Sequence, residues 1–407
     1  MNRERTNFLF LNVGHFLDHL FVLIFATAAA LRLSHEWDMS YAQLIPYATP
    51  GFIAYGLCAI PAGWLADKWS REGMMIIFFI GIGAASILAA LASTPLEIGA
   101  GLLLIGVFAA IYHPVGLAMV VHGREKTGIP LAINGVFGNM GVACAALLTG
   151  LMIDTAGWRA AFVLPGVVSI GIGLLYTCFV VSGRAQRAEE LRSGAAARKA
   201  AAGTLELDRT TLKRVFMIVM FAAAVGGLIF QSTTFALPKI FDERLAGMAG
   251  SATSIGSYAF VVFALAAFAQ LVVGYLVDHH SVRLVFATVA GTQAVLFAVM
   301  HQLTGVPALV VALGFMLVVF GQIPITDVLI GRITRSEWRA RVYSLKYIIN
   351  FSVSASALPL IAWLHSGWGF GALFAVLSVA AACIFTAVLA LPRGGEVVLG
   401  RRAVAAG

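Results

Sequence analysis

Residues 63–71 read GWLADKWSR. Asp67, Lys68 and Arg71 stand there between two long apolar runs, 42–66 and 73–94. Much later, residues 274–283 read GYLVDHHSVR, again between apolar runs, 254–277 and 283–302. Gly63 and Asp67 have the same spacing as Gly274 and Asp278. The correspondence extends outward. GVFAAIYHPVG (106–116) matches LVVFGQIPITD (317–327) and sets His113-Pro114 beside Gln322 and Pro324; DTAGWRAAF (154–162) matches HSGWGFGALF (365–374). Parallel halves of this kind describe one architecture of membrane transporters.

The composition agrees. Of 407 residues, 60% are hydrophobic and 11% charged, with mean hydropathy +0.92. Soluble domains carry about 25% charged residues, so the chain reads as an integral membrane protein. A spanning helix needs about 20 apolar residues. Twelve segments qualify: 8–30, 42–66, 73–94, 98–121, 128–153, 159–182, 214–236, 254–277, 283–302, 306–330, 341–364 and 367–391. They are too long, and too lacking in alternation, for strands of a β-barrel. The first run is also too long for a cleaved signal peptide. Pro114, Pro324 and Pro359 are expected to kink their helices. Cys58, Cys144, Cys178 and Cys383 lie inside spans without CxxC spacing, so neither disulfides nor a thiolate metal cage is expected.

The net charge of +8 raises the question of nucleic acid, and its placement answers it. With the amino terminus in the cytoplasm, 22 of the 27 Lys and Arg residues fall on the cytoplasmic side. Arg32, Arg159, Lys239 and Arg244 fall on the other side, and Lys346 inside a span. This positive-inside bias sets both termini in the cytoplasm and accounts for the basicity without a nucleic acid partner. The hydrophilic stretch 184–213 separates six spans from six. The expected units are therefore 1–183, a cytoplasmic linker 184–213, and 214–407.

At these residues the chain resembles the major facilitator superfamily. The loop between its second and third spans reads roughly G-x-L-a-D-[RK]-x-G-[RK]-[RK]. Gly63, Leu65, Asp67, Lys68 and Arg71 match it, while Ser70 and Glu72 depart; the second copy keeps Gly274, Leu276, Asp278 and Arg283. The resemblance implies two pseudo-symmetric six-helix bundles and a cytoplasmic gate made by these residues. In that gate the Asp caps a neighbouring helix and basic residues pair across the halves. Within the superfamily the chain is similar to the fosmidomycin-resistance type of efflux protein. That group has a His and then Asn-Asp in the first span, His-Pro in the fourth and Gly-Asn-x-Gly in the fifth. Here stand His15, Asp18 and His19; His113 and Pro114; and Gly138, Asn139 and Gly141. Asp18 replaces that group's Asn, His19 its acid, and Val115 the acid after His-Pro.

Residues 12–21, NVGHFLDHLF, put His15, Asp18 and His19 on one helical face. Polar groups inside a membrane are costly and mark packing knots or ion pathways. With His113 they admit three readings: a structural knot, a proton-relay and substrate site, or a transition-metal site. The second half offers Gln231, Gln322 and Asp327, then Tyr343, Lys346 and Asn350 on one face. An ammonium inside a span costs roughly 2.5–3.5 kcal/mol on insertion scales. Lys346 is therefore expected to pair with Asp327 or to bind an anionic solute. Asn134, Gly135, Gly138, Asn139 and Gly141 form a small-residue packing face from which Asn134 or Asn139 is expected to reach the cavity. His35, His279, His280, His301 and His365 read as solvated.

No phosphate-binding loop or hydrolase pattern occurs, so neither an enzyme nor a cofactor is expected. The reading is a monomeric secondary transporter of the bacterial inner membrane. It moves a small anionic or zwitterionic solute by alternating access, as proton-coupled efflux. A divalent-metal transporter using His15, Asp18, His19 and His113 is the alternative. A membrane sensor acting through the linker is a third reading.

Overall fold

The computed structural model describes residues 3–122, 124, 128–183, 209–334 and 336–392, without the side chains of 336–341, 343 and 344. The linker residues 184–208, the tail 393–407 and the Tyr343 side chain therefore lie outside the described residues. The fold is all-helical. α1 spans Arg3–Glu36, α2 Tyr41–Lys68, α3 Arg71–Ala89, α4 Pro95–Val121, α5 Gly128–Thr155 and α6 Trp158–Ser182. In the second half, α7 spans Arg209–Arg244, α8 Ala252–His279, α9 Val282–Met300 and α10 Gly305–Ile333. α11 spans Ser336–Ala355 and α12 Ala357–Leu389.

Among the described residues, eleven helical units are long and apolar enough to cross a membrane; the last, Leu345–Leu389, has 45 residues. A helix rises about 1.5 Å per residue, so this unit is far too long for one crossing. It turns at Gly369, whose φ of 70° only glycine adopts cheaply. Divided there, the unit supplies the eleventh and twelfth crossings.

Helix bounds depart from the expected spans in instructive ways. α7 begins inside the expected linker and runs on through Lys239 to Arg244, both expected outside. Its charges are stabilised locally: Lys239 pairs with Asp242, and the Arg244 guanidinium donates to the carbonyls of His301 (2.8 Å) and Leu303 (2.9 Å). α10 runs unbroken through Pro324. Pro359 instead follows a break at Ser356, and Pro114 sits in a π-turn, Tyr112–Gly116.

Packing repeats with a six-helix offset. In the first half α1 packs on α5, α2 on α4 and α3 on α6. The equivalents α7 on α11, α8 on α10 and α9 on α12 pack in the second half. The halves meet through α5 against α8 and, symmetrically, α2 against α11. Small residues permit these approaches: within the first half a Cβ on Gly141 would lie 2.1 Å from the Phe16 carbonyl oxygen, and across the seam one on Gly150 would lie 2.3 Å from that of Ala252.

At the end that holds the α1–α2 and α7–α8 turns, the halves touch directly. Phe235 packs on Phe25 and Phe52, and Tyr41 on Phe370 and His365. His365 was expected to be solvated. Its side chain is only 18% exposed, and Nε2 lies 2.8 Å from Glu243 Oε1. Its partners Glu243 and Tyr41 lie on other helices, which spacing along the chain does not reveal.

At the same end Asp154 of α5 crosses the seam to cap α8, with Oδ2 accepting from the Thr253 amide at 2.8 Å. A helix amino terminus leaves amides without intrahelical partners, and losing a cap costs about 1 kcal/mol. Asp154→Ala is expected to lower the unfolding midpoint of the detergent-solubilised protein. An unchanged midpoint in a thermal melt would show that Ser251, which accepts from the Ser254 amide, caps α8 sufficiently with water.

Candidate functional site

α1 carries Asn12, His15 and His19 at spacing i, i+3, i+7, with Asp18 beside them, toward α4 and α5. Four side chains are held by a hydrogen-bond network. His15 Nδ1 lies 2.7 Å from the Asn134 carbonyl oxygen. Only an N–H can bond a carbonyl, so the proton of neutral His15 sits on Nδ1 and Nε2 keeps its lone pair. The Asn134 side chain bonds Asn12 Oδ1 and the Tyr112 hydroxyl, both at 2.9 Å. Tyr112 donates to the Leu11 carbonyl at 2.7 Å and stacks on the His15 ring.

A second branch centres on Tyr55 of α2. Its hydroxyl donates to Asp18 Oδ2 at 2.7 Å and lies 3.0 Å from His113 Nδ1. Having given its one proton to the carboxylate, the hydroxyl accepts from His113 Nδ1–H. His113 Nε2 then also keeps its lone pair. His113 Nδ1 is itself 3.4 Å from Asp18 Oδ2. Asp18 is fully buried, His15 7% and His113 9% exposed. The π-turn at Tyr112–Gly116 allows consecutive residues of α4 to serve both branches. Proline supplies no N–H, which frees a carbonyl and widens the turn.

The second half closes the site. The Tyr347 and Phe351 rings of α11 lie 5.8 and 5.1 Å from the His113 ring, and Phe351 lies 4.7 Å from Tyr55. Lys346 Nζ lies 5.0 Å from the Tyr347 ring centroid and 2.6 Å from Asp327 Oδ1. Among the described residues Lys346 is the one buried Lys or Arg, at 4% exposure. Asn350 is turned onto α7, donating to the Ala223 carbonyl at 3.0 Å. Gln231 Nε2 on α7 and Gln322 Oε1 on α10 are buried without a protein partner.

The structure thus gathers His15, Asp18, His19, His113 and Asn134 at one locus, and Lys346 with Asp327 beside it. It separates the loop residues. Asp67 Oδ1 accepts from Arg71 within its own turn at 2.9 Å, both side chains exposed, while Ser70 caps α3. Lys68 is exposed at the end of α2. In the second copy, Asp278 pairs with Arg332 at 3.3 Å, Gly274 has open space around it, and Arg283 stands on the first turn of α9. Asp67 and Asp278 are therefore engaged within their own halves. A Cβ on Gly63 would lie 3.3 Å from the Pro114 side chain of α4.

Sequence reasoning missed Asn12, Tyr55, Tyr112, Tyr347 and Phe351. Asn12 was legible as the turn preceding His15 on the same stripe. Tyr55 was not, because a lone tyrosine in an apolar helix gives no sign of which way it faces.

Comparison with known proteins bears on the whole arrangement. The family profile described as Major Facilitator Superfamily matches residues 11–262. The chain is similar to a probable sulfoacetate transporter of Cupriavidus necator, 25% identical over 155 residues, 38% of this chain and 36% of that protein. It is similar to a gallate transporter of Pseudomonas putida, 24% identical over 145 residues, 35% of this chain and 32% of that one. A 4-hydroxybenzoate transporter of Pseudomonas putida is 26% identical over 157 residues, 36% and 33%. These matches span about a third of the length of the curated relatives. Among solved structures, a D-xylose-proton symporter superposes with TM-score 0.70 at 14% identity, covering 95% of this chain and 97% of that one. A POT family transporter in complex with 5-aminolevulinic acid superposes with TM-score 0.71 at 12% identity, covering 94% and 95%. Structural likeness at such low identity speaks for the fold alone. With the sequence profile, the repeated helix pairing and the paired halves, it places this multi-pass membrane chain: it belongs to the Major Facilitator Superfamily.

Proposed function

We propose that the chain is a secondary transporter that moves a small organic anion across the bacterial inner membrane by alternating access, in exchange for protons. The observation that carries this reading is the charge arrangement across the seam. One half holds a buried carboxylate, Asp18, tied to Tyr55 and His113. The other holds a buried ammonium, Lys346, paired with Asp327. The Tyr347 and Phe351 rings stand between them.

Each half then has a distinct task. A solute carboxylate or sulfonate entering between the halves competes with Asp327 for Lys346, which replaces one ion pair by another without leaving a charge alone in a dry site. Gln231 and Gln322 offer a buried donor and a buried acceptor to the remainder of the solute. On the opposite wall, Asp18 and His113 share a proton through the Tyr55 hydroxyl. Rocking exposes that proton to each side in turn, and the network must re-form each time. The substrates for which the similar proteins are named, sulfoacetate, gallate and 4-hydroxybenzoate, support an anionic class. The outward direction rests on the resemblance to fosmidomycin-resistance-type proteins, and cytoplasmic termini on the positive-inside bias. The protein acts as a monomer, with residues 184–213 joining the halves. The proton gradient supplies the driving force in place of a cofactor.

The test is a panel of small carboxylates and sulfonates added to proteoliposomes loaded with a pH-sensitive dye. At least one is expected to move protons in the wild type. Lys346→Gln is expected to raise its half-saturating concentration about tenfold or more, about 1.4 kcal/mol, with Lys346→Arg in between. A panel that moves no protons, or wild-type affinity in Lys346→Gln, would overturn the reading.

A further inference from the structure

We infer that His15, His19 and His113 form a binding site for a late first-row divalent metal ion, Zn²⁺ foremost. One side-chain nitrogen from each lies within 4.8 Å of the other two. The rings lie close: 4.9 Å between the centroids of His15 and His19, 5.3 Å for His15 and His113, and 5.5 Å for His19 and His113.

Proximity alone would be weak; the protonation pattern carries the inference. Two of the three rings have Nδ1 committed to oxygen, His15 to the Asn134 carbonyl and His113 to Tyr55 beside Asp18. Both therefore present the Nε2 lone pair. His15 Nε2 is buried and bonds nothing in the protein. A metal-binding histidine characteristically gives its other N–H to a carbonyl or carboxylate, which fixes ring and tautomer. For His113 the same role falls to the Tyr55 hydroxyl at 3.0 Å, with the Asp18 carboxylate 3.4 Å from Nδ1 behind it.

The donor set selects the ion. Three neutral imidazoles are borderline ligands suited to Zn²⁺, Cu²⁺, Ni²⁺ or Co²⁺ rather than Mg²⁺ or Ca²⁺. They bring no charge, and the nearest compensation is Asp18, whose Oδ1 is buried and unpartnered. Zn–N bonds of about 2.0–2.1 Å in a tetrahedron place the nitrogens about 3.4 Å apart. The rings must therefore draw in by an ångström or so. His19, the least buried of the three rings, is the one expected to move. All three ligands belong to one half, so the site does not need the halves to change their relation. Occupancy commits the His113 ring that the proposed proton path uses, so a bound ion should slow transport and protons should relieve the block.

Binding is testable without any transport assay and stands or falls separately from the transport reading. Tag-free protein in detergent is titrated with Co²⁺, followed by visible d–d absorption, and with Zn²⁺ by equilibrium dialysis. One ion per chain is expected, with the intense bands of a four-coordinate Co²⁺ site. His15→Ala, His19→Ala and His113→Ala should each weaken binding at least tenfold. The surface variant His279→Ala/His280→Ala should leave it unchanged. Size-exclusion chromatography reports folding. If the two buried variants misfold, His19→Ala still decides the question. Absence of saturable binding overturns the inference, as does undiminished binding in His19→Ala or loss of binding in the surface variant.

Discussion

Asp18→Asn is expected to cripple uphill transport while leaving the protein folded. The amide keeps an oxygen where Tyr55 donates at 2.7 Å, so the network persists and only the titratable carboxylate disappears. Uphill flux driven by a pH gradient is expected to fall about a hundredfold or more, equivalent to about 2.7 kcal/mol. Exchange of labelled for unlabelled solute at equal pH, which needs no net proton movement, is expected to continue. Asp18→Ala is the informative contrast. It leaves the Tyr55 hydroxyl buried without its acceptor, at a cost of about 1–3 kcal/mol, and should lower thermal stability as well as flux. Equal pH-driven uptake by Asp18→Asn and wild-type proteoliposomes would remove Asp18 from the coupling path.

Gly141→Val prevents α1 from seating on α5. The new Cβ would stand 2.1 Å from the Phe16 carbonyl oxygen. That is backbone, which no rotamer change can move aside. Overpacking typically costs 1–3 kcal/mol, and a backbone clash belongs at or above the upper figure, about 3 kcal/mol. The site suffers with the fold, because His15 reaches the Asn134 carbonyl only while these helices touch. Expression, melting temperature and transport should all fall together. Gly171 is the control: it lies on a helix of the same half with nothing within 4 Å of an added Cβ. Gly171→Ala should be neutral or slightly stabilising, since alanine favours helix by about 1 kcal/mol over glycine. Similar melting temperatures for Gly141→Val and wild type would refute the close approach.

Much of the site was legible because polar residues are conspicuous against an apolar background. His15, Asp18 and His19 share a stripe that helical geometry turns to one side, and His113-Pro114 marks a disturbed turn at comparable depth. Lys346 and Asp327 stood out by charge alone, and the ion pair between them follows from the cost of leaving either by itself. Tyr55 and Tyr112 were invisible for the complementary reason. Tyrosine is at home on apolar surfaces, and its hydroxyl matters only once a partner is known. His365 was misjudged because its neighbours, Glu243 and Tyr41, are far away in sequence and meet it only when the helices pack.

By itself the sequence determined the all-helical membrane fold, the count of crossings and the two-fold repeat. These follow from local quantities: apolar length against bilayer thickness and the spacing of a repeated turn. Only the tertiary structure decided which polar groups meet. The pairing of α1 with α5, the π-turn in α4 and the approach of α11 bring Asp18, Tyr55, His113 and Tyr347 together. It also showed Asp67 bound to Arg71 in its own turn. Hydrogen bonds act over about 3 Å, a precision that helix periodicity does not carry across separate helices. The chemistry of this site is therefore written in packing, although its ingredients are written in the sequence.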